Sequence, residues 1–279
     1  MNGLLLVNKQ SNITSSDVVI KVRKLLNIKK VGHTGTLDPL AEGLLILTVG
    51  NATRIQELIT EKDKEYIATM KLGIKTDTYD TEGKIIDQKE VPNNLNIEEV
   101  LNSYIKKYNQ EVPIYSSIKV NGKKLYEYAR ENIEVELPKR EVEIKDIKSL
   151  SINNNEVTFK CLVSKGTYIR SLINDIGNTL GTYATMTKLI RTKIDNFSLD
   201  NSYTLEDIEK GNYKLISIEE ILDYPKIEID DNLYKKISNG VVLDNTYNIK
   251  DKVLFIYNSN VKAIYYNDNN KLKVYRVFN

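Results

Sequence analysis

Residues 32–39 combine residue types that could support chemistry at a single carboxylate. Asp38 precedes Pro39, which biases the aspartate backbone toward an extended conformation, and a glycine-rich stretch precedes both. An isolated Asp-Pro pair is typical of turns. The segment lacks the Gly-Lys-Ser/Thr ending of a phosphate-binding loop, and no nucleophile with an adjacent general-base histidine is evident. The remaining candidate is the chemistry of a lone carboxylate.

Histidine and cysteine are too scarce for a zinc site or a disulfide. His33 is the single histidine and Cys161 the single cysteine of 279 residues, so a Cys/His zinc cluster and an internal disulfide are excluded. Asp77 and Asp80 lack the spacing of a calcium-binding loop. The sequence therefore predicts no metal site.

The charge of the whole chain, +2 with a pI of about 8.3, does not by itself predict a polyanionic partner. One segment differs. Residues 119–130 carry Lys119, Lys123, Lys124 and Arg130 against the single acid Glu127, which leaves +3. This density suits a phosphate backbone, although an ordinary solvated lysine-rich loop would have the same composition.

The elements around Asp38 follow from local patterns. Residues 4–7 and 43–49 are apolar and predict buried strands, whereas residues 32–39 predict an irregular loop between elements. Thr14 and Asp17 are typical of the start of a helix, and apolar residues with helical period follow. Lys64–Leu72 alternates as a strand with Tyr66, Ala68, Met70 and Leu72 on one face.

The rest of the chain predicts an α+β protein. Strands are expected at residues 142–147 and 157–163, separated by a turn at 153–155, and a helix at 167–180, capped by Gly181, that carries Arg170 in its first turn. Short strands at 252–257, 261–266 and 271–278 predict a small β domain. We therefore expect a large mixed, mainly antiparallel sheet with flanking helices in residues 1–225 and a second domain in residues 226–279.

The apolar runs are too short for a membrane-spanning helix, and the N-terminal residues lack the layout of a signal peptide. We expect a cytoplasmic protein.

Several stretches resemble the TruB family of tRNA pseudouridine synthases. The first is GHTGTLDPLA, which begins at Gly32. The others, in family order and spacing, are KEYI from Lys64, GIKTDTYD from Gly73, VPIYSSIK from Val112, GKKLYEYAR from Gly122 and SKGTYIR from Ser164. The resemblance covers about residues 3–195. Together these stretches are far more specific than any one of them alone.

The resemblance implies a catalytic domain of the pseudouridine-synthase type, with Asp38 as the nucleophile and with no cofactor or metal. Asp38 would attack the ribose or the base while the uracil is detached, turned and rejoined through carbon. Arg170 matches the arginine that pairs with this aspartate, where a guanidinium would hold and aim the carboxylate. Tyr66 matches the tyrosine that stacks on the target uracil, although alternation alone predicts a core residue there.

The resemblance also implies substrate contacts. Tyr168 and Leu189 match positions that line the base pocket, and His33 matches a histidine that fills the space left by the flipped base. Residues 112–140 correspond to an inserted thumb, whose Lys119, Lys123, Lys124 and Arg130 would contact the RNA backbone. The C-terminal domain resembles a PUA RNA-binding module through SNGVV from Ser238 and KVYRVF from Lys273, or it simply packs as a satellite.

Two positions depart from the family pattern. Ser117 stands where alanine is commoner, and Ile190 stands where an arginine commonly follows the leucine, which removes one possible phosphate contact. Neither residue belongs to the expected chemistry.

The expected function is isomerisation of the T-loop uridine at position 55 by a monomer that recognises the T-arm stem-loop of tRNA. Two alternatives stay open at this stage. One is a tRNA-folding chaperone with incidental catalysis. The other is the catalytic subunit of a guide-RNA pseudouridylation particle.

Overall fold

A nine-stranded sheet forms the centre of the computed structural model, which describes residues 1–278. The strands of this sheet are β1 Gly3–Lys9, β2 Val31–His33, β3 Glu42–Val49, β4 Lys64–Leu72, β7 Lys107–Glu111, β10 Lys139–Asn153, β11 Glu156–Val163, β12 Ala184–Ile194 and β13 Phe197–Ser198. Their order is β1-β3-β12-β4-β11-β10-β7, with β2 added to β3 and β13 to β12, and every pairing is antiparallel except that of β12 with β3.

Residues 1–278 also contain two further hairpins and eight α-helices. The hairpin strands are β5 Ile74–Thr76 with β6 Ile85–Gln88, and β8 Lys119–Val120 with β9 Lys123–Lys124. The helices are α1 Ser15–Leu26, α2 Gln56–Thr60, α3 Ile97–Ser103, α4 Leu125–Arg130, α5 Ile169–Thr179, α6 Leu205–Glu209, α7 Ile218–Ile221 and α8 Asp231–Ser238, with short 3-10 helices at Gly50–Ile55 and Leu199–Asn201. The predicted α+β class is confirmed.

The main core is built from strand residues that are buried at every second position. The predicted face of β4 is buried, and it packs in one apolar cluster with the alternate residues of β11 and with the apolar side of α5. The amphipathic pattern of α5 places Leu172, Ile173 and Ile176 in that cluster. Because one face of the sheet is buried, the register of each strand is specified by its apolar residues.

Local signals predicted several element ends. Thr14 caps α1 through a reciprocal capping box, in which its hydroxyl accepts the N–H of Asp17 and the Asp17 carboxylate accepts the N–H of Thr14. The turn between β10 and β11 has Asn154 at a φ of 50°. Helix α5 begins at Ile169, later than the predicted 167, and Gly181 follows it with a φ of 76°.

The prediction of an irregular loop from residue 32 onward is wrong at its start. Gly32 and His33 form β2 and pair with Thr48 and Leu47 of β3, and the Thr34 N–H continues the pattern by donating to the Ile46 carbonyl at 3.1 Å. The free edge of β3 supplies these hydrogen bonds, which composition alone does not reveal. The irregular segment begins at Gly35.

A second sheet lies in the C-terminal part of the chain. Its strand order is β14-β16-β17-β18-β15, with β14 Lys226–Glu228, β15 Leu243–Asp244, β16 Lys252–Tyr257, β17 Asn260–Asp268 and β18 Lys271–Val277. This sheet packs against the 3-10 helix Gly50–Ile55, which follows β3, through an apolar cluster that joins Ala52 and Ile55 to Leu254, Ile256 and Ile264. The domain division at residue 225 stays a prediction.

Within residues 1–278, no helix has the length and apolar character needed to cross a membrane.

Candidate active site

An open cleft of about 870 Å³ runs along one side of the central sheet. It is lined by the loop that follows β2, by the start of β4, by residues 115–118, by the first turn of α5 and by β12. Asp38, Arg170, Tyr66, Tyr168 and Leu189, five of the predicted site residues, line this one cleft although they come from four separate segments.

Asp38 and Arg170 form an ion pair in the cleft. Arg170 Nε lies 2.9 Å from Asp38 Oδ2, and the arginine side chain is 5% exposed whereas the aspartate is 36% exposed. The Nε–H does not point at that oxygen, so the contact is an ion pair without a directed hydrogen bond. The carboxylate is thus held by a buried cation and open to a ligand in the cleft.

The Arg170 guanidinium has three further contacts. Nη1 donates to the Thr78 carbonyl at 3.0 Å, and Nη2 donates to the Tyr115 carbonyl at 2.9 Å. Nη1 also lies 3.4 Å from Oδ2 of the buried Asp80. These contacts fix the plane of the guanidinium from two sides, which a planar fork of donors allows.

Asp80 is a site residue that sequence reasoning missed. Its Oδ1 accepts hydrogen bonds from the Thr78 hydroxyl at 2.6 Å and from the Glu82 N–H at 3.0 Å, so the carboxylate is fully engaged. The sequence pattern tests Asp80 only as a calcium ligand, and its spacing does not fit one. Its place at the end of the matching stretch from Gly73 was the available signal.

Lys9 stabilises the loop that carries Asp38 through hydrogen bonds to backbone carbonyls. This fully buried side chain donates from Nζ to the carbonyls of Gln10 at 3.0 Å, Pro39 at 3.2 Å and Ala41 at 2.5 Å. Burial lowers the pKa of Lys9 to about 8, against the opposing effect of Asp38. Lys9 lies in period with Leu5 and Val7 on β1, and a lysine on a buried strand face was the signal that reasoning from the sequence overlooked.

Arg191 and Ser15 hold the other side of the same loop. The buried Arg191 donates from Nε to the Leu44 carbonyl at 2.8 Å and from Nη2 to the Gly35 carbonyl at 3.0 Å. The Ser15 hydroxyl bonds both to the N–H of Leu37 at 2.8 Å and to its carbonyl at 3.0 Å. Asp38 is therefore positioned by elements that lie far from it in sequence.

Gly43 lies on β3 and allows β12 to pack closely beside that strand. Its φ is 102°, and a Cβ at this position would lie 2.4 Å from the Arg191 carbonyl oxygen. A residue with a side chain would separate the parallel strands β3 and β12.

The buried charges at the cleft are mostly positive. Within residues 1–278, the almost fully buried charged side chains are Lys9, Lys64, Arg170 and Arg191 against the single carboxylate of Asp80. Lys64, Arg170 and Arg191 line the cleft, and burial lowers the pKa of Lys64 to about 8. Even with Asp38 included, cations are in excess, so the cleft favours an anionic ligand.

Apolar and aromatic side chains line the wall beside Asp38. Tyr66 and Leu189 are 8% and 6% exposed and come from the adjacent strands β4 and β12. Tyr168 precedes the first residue of α5, and burial raises the pKa of its hydroxyl. The space between these side chains is suited to a flat ring.

His33 lies beside the cleft and does not line it. It belongs to β2, next to the lining residue Thr34, and its Nδ1 is buried without a hydrogen-bond partner in residues 1–278. Burial is the main cause that lowers the pKa of this imidazole, with a smaller contribution from Arg191.

The four cations of the predicted thumb lie outside the cleft lining, on β8, β9 and α4. Lys123 is paired with Glu131, which lies just beyond the segment counted as +3. Lys124 and Arg130 both lie over the ring of Tyr126, at 5.3 Å and 5.2 Å from its centre. The free positive charge of the thumb is therefore smaller than the count along the sequence.

The part of the chain that the structure describes contains no group of three or more His, Cys, Asp or Glu side chains placed to hold a metal ion. The cleft chemistry that the geometry supports is that of a partly exposed carboxylate beside a fixed guanidinium and a pocket suited to a flat ring.

Two solved structures contain chains with the same fold. A chain of the "Structure of H/ACA RNP bound to a substrate RNA containing 2'-deoxyuridine" and a chain of a Cbf5-Nop10-Gar1 complex each align with a TM-score of 0.70 and 24% identity, over 99% of this chain and 85% of theirs. These alignments show that the chain shares the fold of both structures over nearly its whole length.

The sequence matches are more specific. Residues 23–169 match the family described as TruB family pseudouridylate synthase (N terminal domain), and residues 170–224 match the tRNA pseudouridylate synthase B C-terminal domain. This chain belongs to the TruB family of pseudouridylate synthases. Two relatives are named tRNA pseudouridine synthase B. The Clostridium tetani protein is 46% identical over 99% of this chain and 92% of its own length, and the Bacillus subtilis protein is 46% identical over 88% and 84%.

Proposed function

We propose that this protein is a tRNA pseudouridine synthase that converts the T-loop uridine at position 55 into pseudouridine. The observation that carries the proposal is the pairing of Asp38 with the buried Arg170 in an open cleft, in a chain of the TruB family. The curated relatives named tRNA pseudouridine synthase B support tRNA as the substrate class.

Asp38 is the proposed nucleophile. The bond between uracil N1 and ribose C1′ breaks, the uracil turns within the pocket, and C5 bonds to C1′ while the proton on C5 leaves and N1 gains one. The reaction is an isomerisation, so no group is added and nothing is oxidised. Asp38 attacks either C1′ or base C6, and in either case its carboxylate must be ionised and accessible, as its partly exposed position allows.

Arg170 orients the carboxylate of Asp38. Its two carbonyl contacts and Asp80 hold the guanidinium in place, so the positive charge is fixed before substrate arrives. A preorganised cation costs no rearrangement when charge moves between the carboxylate and the detached uracil.

A uridine must leave its stack to reach Asp38, because the carboxylate lies inside a cleft. Tyr66 is the proposed stacking partner of the flipped uracil, with Tyr168 and Leu189 as further walls of the pocket. His33 would fill the vacated position in the RNA once the substrate draws it toward the cleft edge. Unstacking costs a few kcal/mol, which contacts of this kind offset.

The excess of buried cations supports binding of the RNA backbone, with Lys119, Lys123, Lys124 and Arg130 of the thumb as added contacts. One chain supplies the whole cleft, so a monomer suffices. The T-arm stem-loop is the proposed recognition element, since RNA loops are commonly recognised by shape, and the cytoplasm is the proposed location.

The nucleophile is tested by Asp38→Asn. We expect this variant to bind unmodified tRNA as wild type does and to form no pseudouridine, detected by carbodiimide-dependent primer arrest. Asp63→Asn is the matched control, because Asp63 is similarly exposed, at 38%, and pairs with Lys145 at 2.6 Å. Turnover retained by Asp38→Asn would remove Asp38 as the nucleophile.

The same experiment separates the enzyme from a tRNA-folding chaperone, since a chaperone would need neither Asp38 nor turnover. A guide-RNA particle subunit is the second candidate, favoured by the shared fold with the H/ACA chains. Purified protein incubated alone with unmodified tRNA distinguishes the two. Pseudouridine formed without guide RNA or added proteins supports the stand-alone enzyme, and its absence supports the particle. A T-arm stem-loop is expected to react like full-length tRNA.

A further inference from the structure

Side-chain hydrogen bonds join the start of α5 to strand β7. Gln110 Oε1 accepts the N–H of Tyr168 at 2.8 Å, and the Ser171 hydroxyl donates to the Glu111 carbonyl at 2.9 Å. Gln110 is 1% exposed, so its amide has no access to water. Two adjacent residues of β7 therefore form hydrogen bonds to the turn of α5 that carries Arg170.

These hydrogen bonds matter because the start of α5 has no side-chain cap of its own. Tyr168 is its N-cap residue and provides no capping hydrogen bond from its side chain. A helix start without a side-chain cap is free to shift or fray unless another group holds it. Tyr168 and Arg170 are the two residues of this turn whose side chains enter the cleft chemistry.

The orientation of the Gln110 amide is itself determined. Its Nε2 donates to the Tyr108 hydroxyl at 2.7 Å, and the Tyr108 hydroxyl donates toward Asp175 Oδ2 at 3.4 Å. Nε2 must therefore face Tyr108, which turns Oε1 toward the Tyr168 N–H. Asp175 lies on α5, so the chain of hydrogen bonds starts and ends on the same helix.

We propose that Gln110 is a positioning residue that holds Tyr168 and Arg170 in register with Asp38. The inference rests on the proposed function for its activity readout. Gln110 touches no reacting atom. It acts through the backbone of Tyr168, and small displacements of a catalytic group lower turnover strongly, by about 100-fold for 1 Å.

The test compares three variants. Gln110→Met keeps the length of the side chain and loses the acceptor for Tyr168. Gln110→Glu keeps that acceptor, and its second oxygen can accept a hydrogen bond from the Tyr108 hydroxyl. Tyr104→Phe is the matched control, because the Tyr104 hydroxyl bonds to Thr179 at 2.8 Å, at the far end of the same helix. All three are expected to lower the thermal midpoint.

Measuring turnover distinguishes a positioning role of Gln110 from a role in stability alone. We expect kcat for tritium release from tRNA carrying 5-tritiated uridine to fall about 10- to 100-fold in Gln110→Met, with KM changed less than about 2-fold. Gln110→Glu and Tyr104→Phe should stay within about 3-fold of wild type. Unchanged kcat in Gln110→Met, or a loss of kcat in all three that follows their loss of stability, overturns the proposal.

Hydrogen exchange tests the same proposal without turnover. Peptides covering residues 164–172 should lose protection in Gln110→Met and retain it in Gln110→Glu and Tyr104→Phe. Wild-type protein that forms no pseudouridine would contradict the proposed function alone, while equal protection in Gln110→Met and wild type would contradict the role of Gln110.

Discussion

Asp175 offers a test of the electrostatics beneath the cleft. Its side chain lies on α5 against Tyr108 and near Glu111. Burial, as the main cause, raises the pKa of this carboxyl from 3.8 to about 6, the Tyr108 hydrogen bond opposes the rise, and Glu111 adds to it. Replacing Asp175 with asparagine keeps the shape and the acceptor for Tyr108 but removes the titration.

The sign follows from proton binding. The folded state holds the Asp175 proton more tightly than the unfolded state, so the corresponding stability is present below about pH 4 and is lost as the pH rises through about 6. A pKa difference of this size corresponds to about 3 kcal/mol. Because the side chain is partly exposed, solvent screening reduces the expected effect to about 1 to 3 kcal/mol.

The measurement is urea unfolding, followed by far-UV circular dichroism at pH 4, 5, 6 and 7. The free energy of unfolding of Asp175→Asn minus that of wild type should rise by about 1 to 3 kcal/mol from pH 4 to pH 7. Taking the difference cancels the titration of groups that do not interact with Asp175. Asp87→Asn is the control, because the Tyr183 hydroxyl lowers the pKa of Asp87 below 3.8, so both folded and unfolded states titrate below the assay range and the difference should stay nearly flat from pH 4 to pH 7.

A difference for Asp175→Asn that is flat or that falls over this range would refute the reasoning. It would mean that Asp175 is ionised in the folded state throughout, and that Tyr108 stabilises the carboxylate more than burial penalises it.

Three further predictions follow from single contacts. Asp80→Asn removes the buried carboxylate beside Arg170, so urea unfolding should show a loss of about 3 kcal/mol and kcat should fall while tRNA affinity is kept. Lys9→Met leaves buried carbonyls without donors at about 1 to 3 kcal/mol each. Because burial lowers the pKa of Lys9 to about 8, wild type should gain stability between about pH 8 and 10.5, and the gain should be smaller in the variant. Gly43→Ala should destabilise by about 3 kcal/mol or more, whereas Gly122→Ala, also at positive φ but with open space around its Cβ, should cost about 1 kcal/mol in thermal or urea unfolding.

The sequence by itself determined the features that depend on neighbouring residues. Alternation identified the buried face of β4, helical period identified the apolar side of α5, and Thr14 marked the start of α1. These signals are readable because side-chain period and capping act within a few residues. The local motif marked Asp38, and the resemblance to the TruB family added Arg170, Tyr66, Tyr168 and Leu189. The structure brings all five to one cleft.

Only the tertiary structure decided what surrounds these residues. Lys9, Arg191 and Asp80 each reach the site from a distant part of the chain, and each satisfies carbonyls or charges that sequence spacing does not relate. The thumb charge likewise depended on which acid folds back onto Lys123. The physical reason is that a buried polar group requires a partner, and a partner far away in the sequence is supplied only by the packing of the sheet, its helices and its loops.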